Sequence, residues 1–235
     1  MIPRFALTLA GRISRSPRGF TRTDLLAILA ALAMGLTVSV GFLKTSHRNA
    51  GRSECLANLG KVGRSFQLFA SDHQQTLPDA QPGKNEDIWW FYKEQIKGYL
   101  GLKGASSADD RGFACPADRG YADHGPFSKE ARFDYTSYVY NGVTLPDVPN
   151  IAGWSLPAVR DPARTLLVME WVAHAPLSWH DSRTGTRNAP FYCDAISVIA
   201  FVDGHSASAP IYYDGHTPAY VRDPIPGYSY KYNGN

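Results

Sequence analysis

The feature that most constrains this chain is a run of nineteen residues, Leu25 to Leu43, that carries no charged side chain. At about 1.5 Å rise per residue a helix of that length reaches roughly 28 Å, close to the hydrocarbon thickness of a bilayer. The run therefore predicts a membrane-spanning helix, and the 235 residues leave room for one ordinary globular head beside it. Charge is distributed around the run unevenly. Met1 to Gly19 holds Arg4, Arg12, Arg15 and Arg18 and no acid; without those four, the 24 basic residues fall to 20 against 21 acidic, a balance of −1. The net +3 belongs to the leader. The remainder has no basic excess of the kind a nucleic-acid partner requires. Five arginines precede the span, counting Arg22, against Lys44, Arg48 and Arg52 just after it, which favours an amino terminus inside the cell.

A basic start and an apolar core also describe a secretory signal. This run exceeds the ~7 to 15 residues of a signal core, and no clean Ala-x-Ala site follows it. A plain uncleaved anchor fits the length but leaves Asp24, one acid at the mouth of the run, without a purpose. An ionised acid deep in lipid costs about 2.5 to 3.5 kcal/mol on insertion scales, unless it pairs with an amine or stays at the interface.

After the span, Cys55, Leu59, Val62, Phe66 and Phe69 recur at intervals of four and three, the spacing of one helical face. The helix is predicted to continue to about Asp72, with Lys44, Arg48, Arg52, Lys61 and Arg64 on its solvated positions and Gly51, Gly60 and Gly63 permitting close packing. Ile88, Tyr92, Ile96 and Tyr99 predict a short helix packed on the long one. The rest reads as sheet: Arg132 to Gly142, Thr165 to Val172 and Ala195 to Val202 as strands, with Asp203-Gly204 as a two-residue hairpin turn into Ser206 to Tyr213. The stretch from Ala173 to Tyr192 reads as a long polar surface loop, and the tail from Asp214 as an extended segment along the head.

Arg18-Gly19-Phe20-Thr21, the acid Asp24 five residues after the glycine and the long apolar helix together resemble the start of type IV pilins and type II secretion pseudopilins. The resemblance implies cleavage by prepilin peptidase between Gly19 and Phe20, methylation of the new terminus, and a role for Asp24 in assembly. Asp24 stands where the family has Glu, and Arg22 and Thr23 where it has apolar residues. Phe20 and Asp24 are four apart, so the new ammonium and the carboxylate share one helical face. An acid in the first turn also suits the helix dipole.

The head is similar to a large pilin-like family of bacterial surface proteins. Its Cys-x-x-Asn-Leu helix is matched by Cys55, Asn58 and Leu59; its aromatic-Ala-x-Asp stretch and Pro turn by Phe69, Ala70, Asp72 and Pro78; and its Cys-Pro-x-Asp step by Cys115, Pro116 and Asp118. The family's closing motif, a His separated from Asp-Gly by nine intervening residues, is matched at Asp203-Gly204-His205, with Cys193 in place of the His. The paired motifs imply a disulfide between Cys55 and Cys115, closing about sixty residues, with Cys193 as the odd thiol. Rival pairings stay open at this level.

The expected fold is α+β and pilin-like: leader 1–19, transmembrane half-helix 20–43, amphipathic half-helix 44–72 and an antiparallel head over 73–235. The expected function is a non-enzymatic subunit of a type IV pilus or type II secretion-like pseudopilus in the bacterial inner membrane, its head in the periplasm or on the cell surface. Its partners are prepilin peptidase, other pilin or pseudopilin subunits and membrane lipid, with no nucleic acid. The alternative is a membrane-anchored module that binds a glycan or envelope component, or a hydrolase. No GxSxG elbow, P-loop, dinucleotide fingerprint, EF-hand or HExxH motif is present, so no cofactor or metal is expected. Glu170, His174, His180 and Asp181, with the Asp-Gly-His triplets ending at His205 and His216, are the only groups that suggest a metal or hydrolase cluster. Their simpler reading is turns and surface histidines, and calcium is the metal their oxygen ligands would suit.

Overall fold

The computed structural model describes residues 21–80, 89–120, 124–143, 145–174, 178–182, 195–211, 223 and 227–235. Contacts divide the chain into two units, Met1–Thr45 and Ser46–Asn235. Helix α1 runs unbroken over 51 residues, Arg22–Asp72. Its start is built by Thr21 and Asp24. The Asp24 carboxylate accepts the Thr21 backbone N–H at 2.9 Å and the Thr21 hydroxyl at 2.7 Å, while the Asp24 N–H donates to that hydroxyl at 3.2 Å. This is a reciprocal capping box, which satisfies donors that the first turn cannot pair internally.

In the first unit the apolar side chains of α1 are exposed, with Leu36 at 66% and Phe42 at 75%, and its most apolar eighteen-residue window has a mean hydropathy of 2.3. One helix is thus long and apolar enough to cross a membrane. Its hydroxyls are returned to the helix itself: Thr37 donates to the Met34 carbonyl, Ser39 to Gly35 and Thr45 to Gly41. That pairing removes the cost of carrying them into an apolar medium.

In the second unit the predicted face is buried: Cys55, Leu59, Val62 and Phe66 have no exposed surface. The face lies on an antiparallel sheet of β1 (Tyr138–Tyr140), β2 (Leu166–Glu170), β4 (Ala195–Phe201) and β5 (Ser206–Pro210), in that order across the sheet. A short β3 (Asp181–Ser182) pairs with the start of β4, and the helix α3 (Trp171–His174) follows β2 directly. Helix and sheet approach each other closely at two glycines. A Cβ at Gly60 would lie 3.3 Å from the Ser206 hydroxyl and one at Gly63 3.4 Å from the Ala200 methyl. Helix α2 (Tyr92–Ile96) packs on α1 as expected, Tyr92 stacking on Phe66 at 5.3 Å between ring centres and the Tyr99 hydroxyl donating to Asp72. An α+β fold with a long N-terminal helix and an antiparallel sheet is what the sequence predicts.

Four predicted elements differ. The first strand starts only at Tyr138, because Asp134 and Tyr135 take left-handed backbone angles, φ 48° and 52°. The ammonium of Lys93, wholly buried, holds that kink by donating to the Asp134 carbonyl while pairing with Asp110 at 2.9 Å. The hairpin connection has three residues, not two. Phe201 donates to the His205 carbonyl and Gly204 to Phe201, and only Gly204 has positive φ (94°). That is the type I turn closed by a left-handed glycine. The strand after it ends at Pro210. The polar stretch from Ala173 is not all surface: Trp179 and His180 are buried and lead into β3. The described part of the tail does run along the head, Lys231 bridging Thr165 in parallel with Tyr230 and Tyr232 buried.

Candidate functional site

The motif residues of α1 and the head meet at one place. Cys55 and Cys115 form a disulfide across 60 positions. Beside it, the Asn58 amide donates to the carbonyls of Arg111 and Ala114 at 3.1 and 3.0 Å, tying the helix to the loop that carries Cys115. Asp118 shapes that loop. Its carboxylate accepts the N–H groups of Gly120 and Ser128 and the Ser137 hydroxyl, and that same hydroxyl accepts the Cys115 N–H at 2.9 Å. The Cys-Pro-x-Asp step thus has a physical reason: the acid fixes the backbone that presents the sulfur.

Glu170 and His180 complete the cluster. β2 covers Ile199 to Phe201 of β4 and β3 covers Ala195 and Ile196, which leaves the edge of β4 uncovered between them. The Glu170 carboxylate, at the end of β2 and without exposed surface, fills that gap. It accepts the Val198 N–H at 3.0 Å, the Ser197 hydroxyl at 2.8 Å and His180 Nε2 at 2.7 Å. Three donors offset the burial of the carboxylate. The same His180 nitrogen is 3.7 Å from Cys115 Sγ. Arg119 anchors the segment before it, donating to the carbonyls of Trp179 and Ser178, and the Trp179 indole donates to Gly120. Two sulfurs, one imidazole nitrogen and one carboxylate oxygen lie within 4.8 Å of one another, all in buried residues.

The sequence brought Glu170 and His180 together as a possibility and set it aside for a surface loop; burial corrects that reading. Sequence spacing offered no link from His180 to the two cysteines, because the cluster is closed by Arg119 and Trp179 from separate parts of the chain. The capping box at Thr21 and Asp24 was missed, although Thr-x-x-Asp before an apolar run is its signature. Asp203 and His205 pair with each other at 2.6 Å on the turn, half exposed, and no further metal-ligating side chain joins them among the described residues. Gly19, Phe20, Cys193, Asp214 and His216 lie outside the described residues, as do the side chains of His174 and Asp181. No protein-family profile matches the chain, and neither a comparison with curated proteins nor one with solved structures finds a similar protein.

Proposed function

We propose that the chain is a pilin-like subunit, made with a basic leader, cut by prepilin peptidase between Gly19 and Phe20, and assembled into or held beside a type IV pilus or type II secretion-like pseudopilus. The observation that carries this reading is α1. It is a single helix from Arg22 to Asp72 whose first half exposes a run of nineteen uncharged, mostly apolar residues and whose second half buries Cys55, Leu59, Val62 and Phe66 in a head. A free-standing anchor needs no such continuity. A subunit that is lifted from a membrane and stacked through its helix does, because the helix transmits the register of the head to its neighbours.

On this reading Asp24 is the assembly acid. Its carboxylate accepts from Thr21, a residue the cut leaves in the mature chain, and it is offered as well to the new ammonium of a neighbouring subunit. The partners are prepilin peptidase, further subunits and inner-membrane lipid, the head lies outside the cytoplasm, and no step requires catalysis by this chain. Co-expression with a prepilin peptidase tests it: the chain shortens by its leader, Gly19→Val blocks the change, and Asp24→Ala leaves cleavage intact but abolishes incorporation into filaments. A chain that stays full length beside an active peptidase contradicts the reading.

A further inference from the structure

We propose that the reduced head holds one zinc-class divalent ion on Cys55, Cys115, His180 and Glu170, and that the disulfide and the metal are alternative ways of closing the same joint. The site does not depend on the assembly reading. Four ligand atoms converge within 4.8 Å, from α1, the Cys115 loop, the end of β2 and the approach to β3. Two thiolates, an imidazole and a carboxylate are a set that suits tetrahedral zinc, and the sulfurs exclude the hard cations that oxygen-only sites take. All four residues are buried, with His180 the most exposed at 8%. Water therefore competes poorly for the ion.

The surroundings are those of a metal site. His180 directs one nitrogen, Nε2, at both the Glu170 carboxylate and the sulfur of Cys115. The second oxygen of Glu170 is fixed by Ser197 and Val198, and the Cys115 backbone by Ser137. Such outer bonds orient ligands before the ion arrives. Reduction breaks the S–S bond, each sulfur gaining one electron and one proton. With a water-soluble phosphine as reductant, the phosphine becomes its oxide with oxygen from water. Zinc then displaces the two thiol protons as the sulfurs part to roughly 3.7 Å across the ion, the separation that ~2.3 Å zinc–sulfur bonds impose. A disulfide oxidant takes the two electrons back and releases the metal.

The full chain in detergent, reduced anaerobically with the phosphine and titrated with cobalt(II), tests this. Tetrahedral cobalt with thiolate charge-transfer bands is expected at one equivalent in the reduced chain and not in the oxidised one, with zinc displacing it. His180→Ala and Glu170→Gln each weaken binding at least about tenfold, Cys55→Ser lowers the charge-transfer intensity, and Cys193→Ser changes nothing. Far-UV circular dichroism follows the fold throughout. The proposal is overturned by a reduced chain without the bands, by equal binding in the oxidised chain or in His180→Ala, or by a reduced chain that unfolds and is not restored by zinc.

Discussion

Asn58 illustrates how a single side chain can join two segments more than fifty positions apart. Its amide serves two loop carbonyls, of which that of Arg111 also accepts the Ala114 N–H, so Asn58→Ala strands the Ala114 carbonyl and is expected to cost about 1 to 3 kcal/mol in thermal or denaturant unfolding of the full chain. Lys93 is a harsher case. Its ammonium has no exposed surface, pairs with Asp110 and supports the left-handed kink at Asp134. Burial acts to raise the Asp110 carboxyl, but the Lys93 ammonium, the Ser107 N–H and the charge of Lys97 together outweigh it and hold that group below the usual carboxylate range. Lys93→Met removes the charge that both partners were buried against, and a loss of about 3 kcal/mol is expected by the same measurement. The reverse change, Asp110→Asn, keeps the shape but leaves the buried ammonium without its counter-charge, and is expected to cost at least as much. At this scale the sequence was legible where residues formed short motifs, as with Cys55, Asn58 and Cys115. It was illegible at His180 and Lys93, because the groups that bury them come from distant segments and leave no local spacing.

The long helix was the most legible element, since a nineteen-residue apolar run and a face repeating every three or four residues both project directly onto helical geometry. Its glycines separate two effects that sequence alone cannot distinguish. Gly51 has nothing within 4 Å of a Cβ position, whereas a Cβ at Gly60 meets the Ser206 hydroxyl at 3.3 Å. Gly51→Ala is therefore expected to stabilise the helix by about 0.5 to 1 kcal/mol. Gly60→Val drives side-chain atoms into β5 and is expected to destabilise by about 1 to 3 kcal/mol. Opposite shifts of the unfolding midpoint check the pair; a gain at Gly60 would mean that the helix does not sit closely on the sheet. The strands were legible in the order of their apolar runs but not in their ends. Asp134, Tyr135 and the three-residue turn at Val202 to Gly204 are set by tertiary hydrogen bonds that override strand propensity.

Across the whole molecule, the head depends on buried phenols as well as on the disulfide. Burial pushes the hydroxyls of Tyr92, Tyr138 and Tyr140 up, with the Glu170 carboxylate adding to the effect at Tyr138. The folded chain holds those protons more tightly than the unfolded one. The stability they contribute is thus complete below the ordinary phenol range near ~10 and falls as pH rises above it. An ultraviolet titration should find these tyrosines silent until the head unfolds in alkali; smooth ionisation with the fold intact would contradict their burial. The central claim, that Arg18-Gly19-Phe20 is a processing site and α1 the helix of an assembling subunit, is tested most directly by the amino-terminal mass of the chain isolated from the cells that make it. A pilin-like subunit begins at Phe20 and carries one added methyl group there. A chain that retains Met1, or that begins near residue 40 after removal of the whole apolar run, contradicts it.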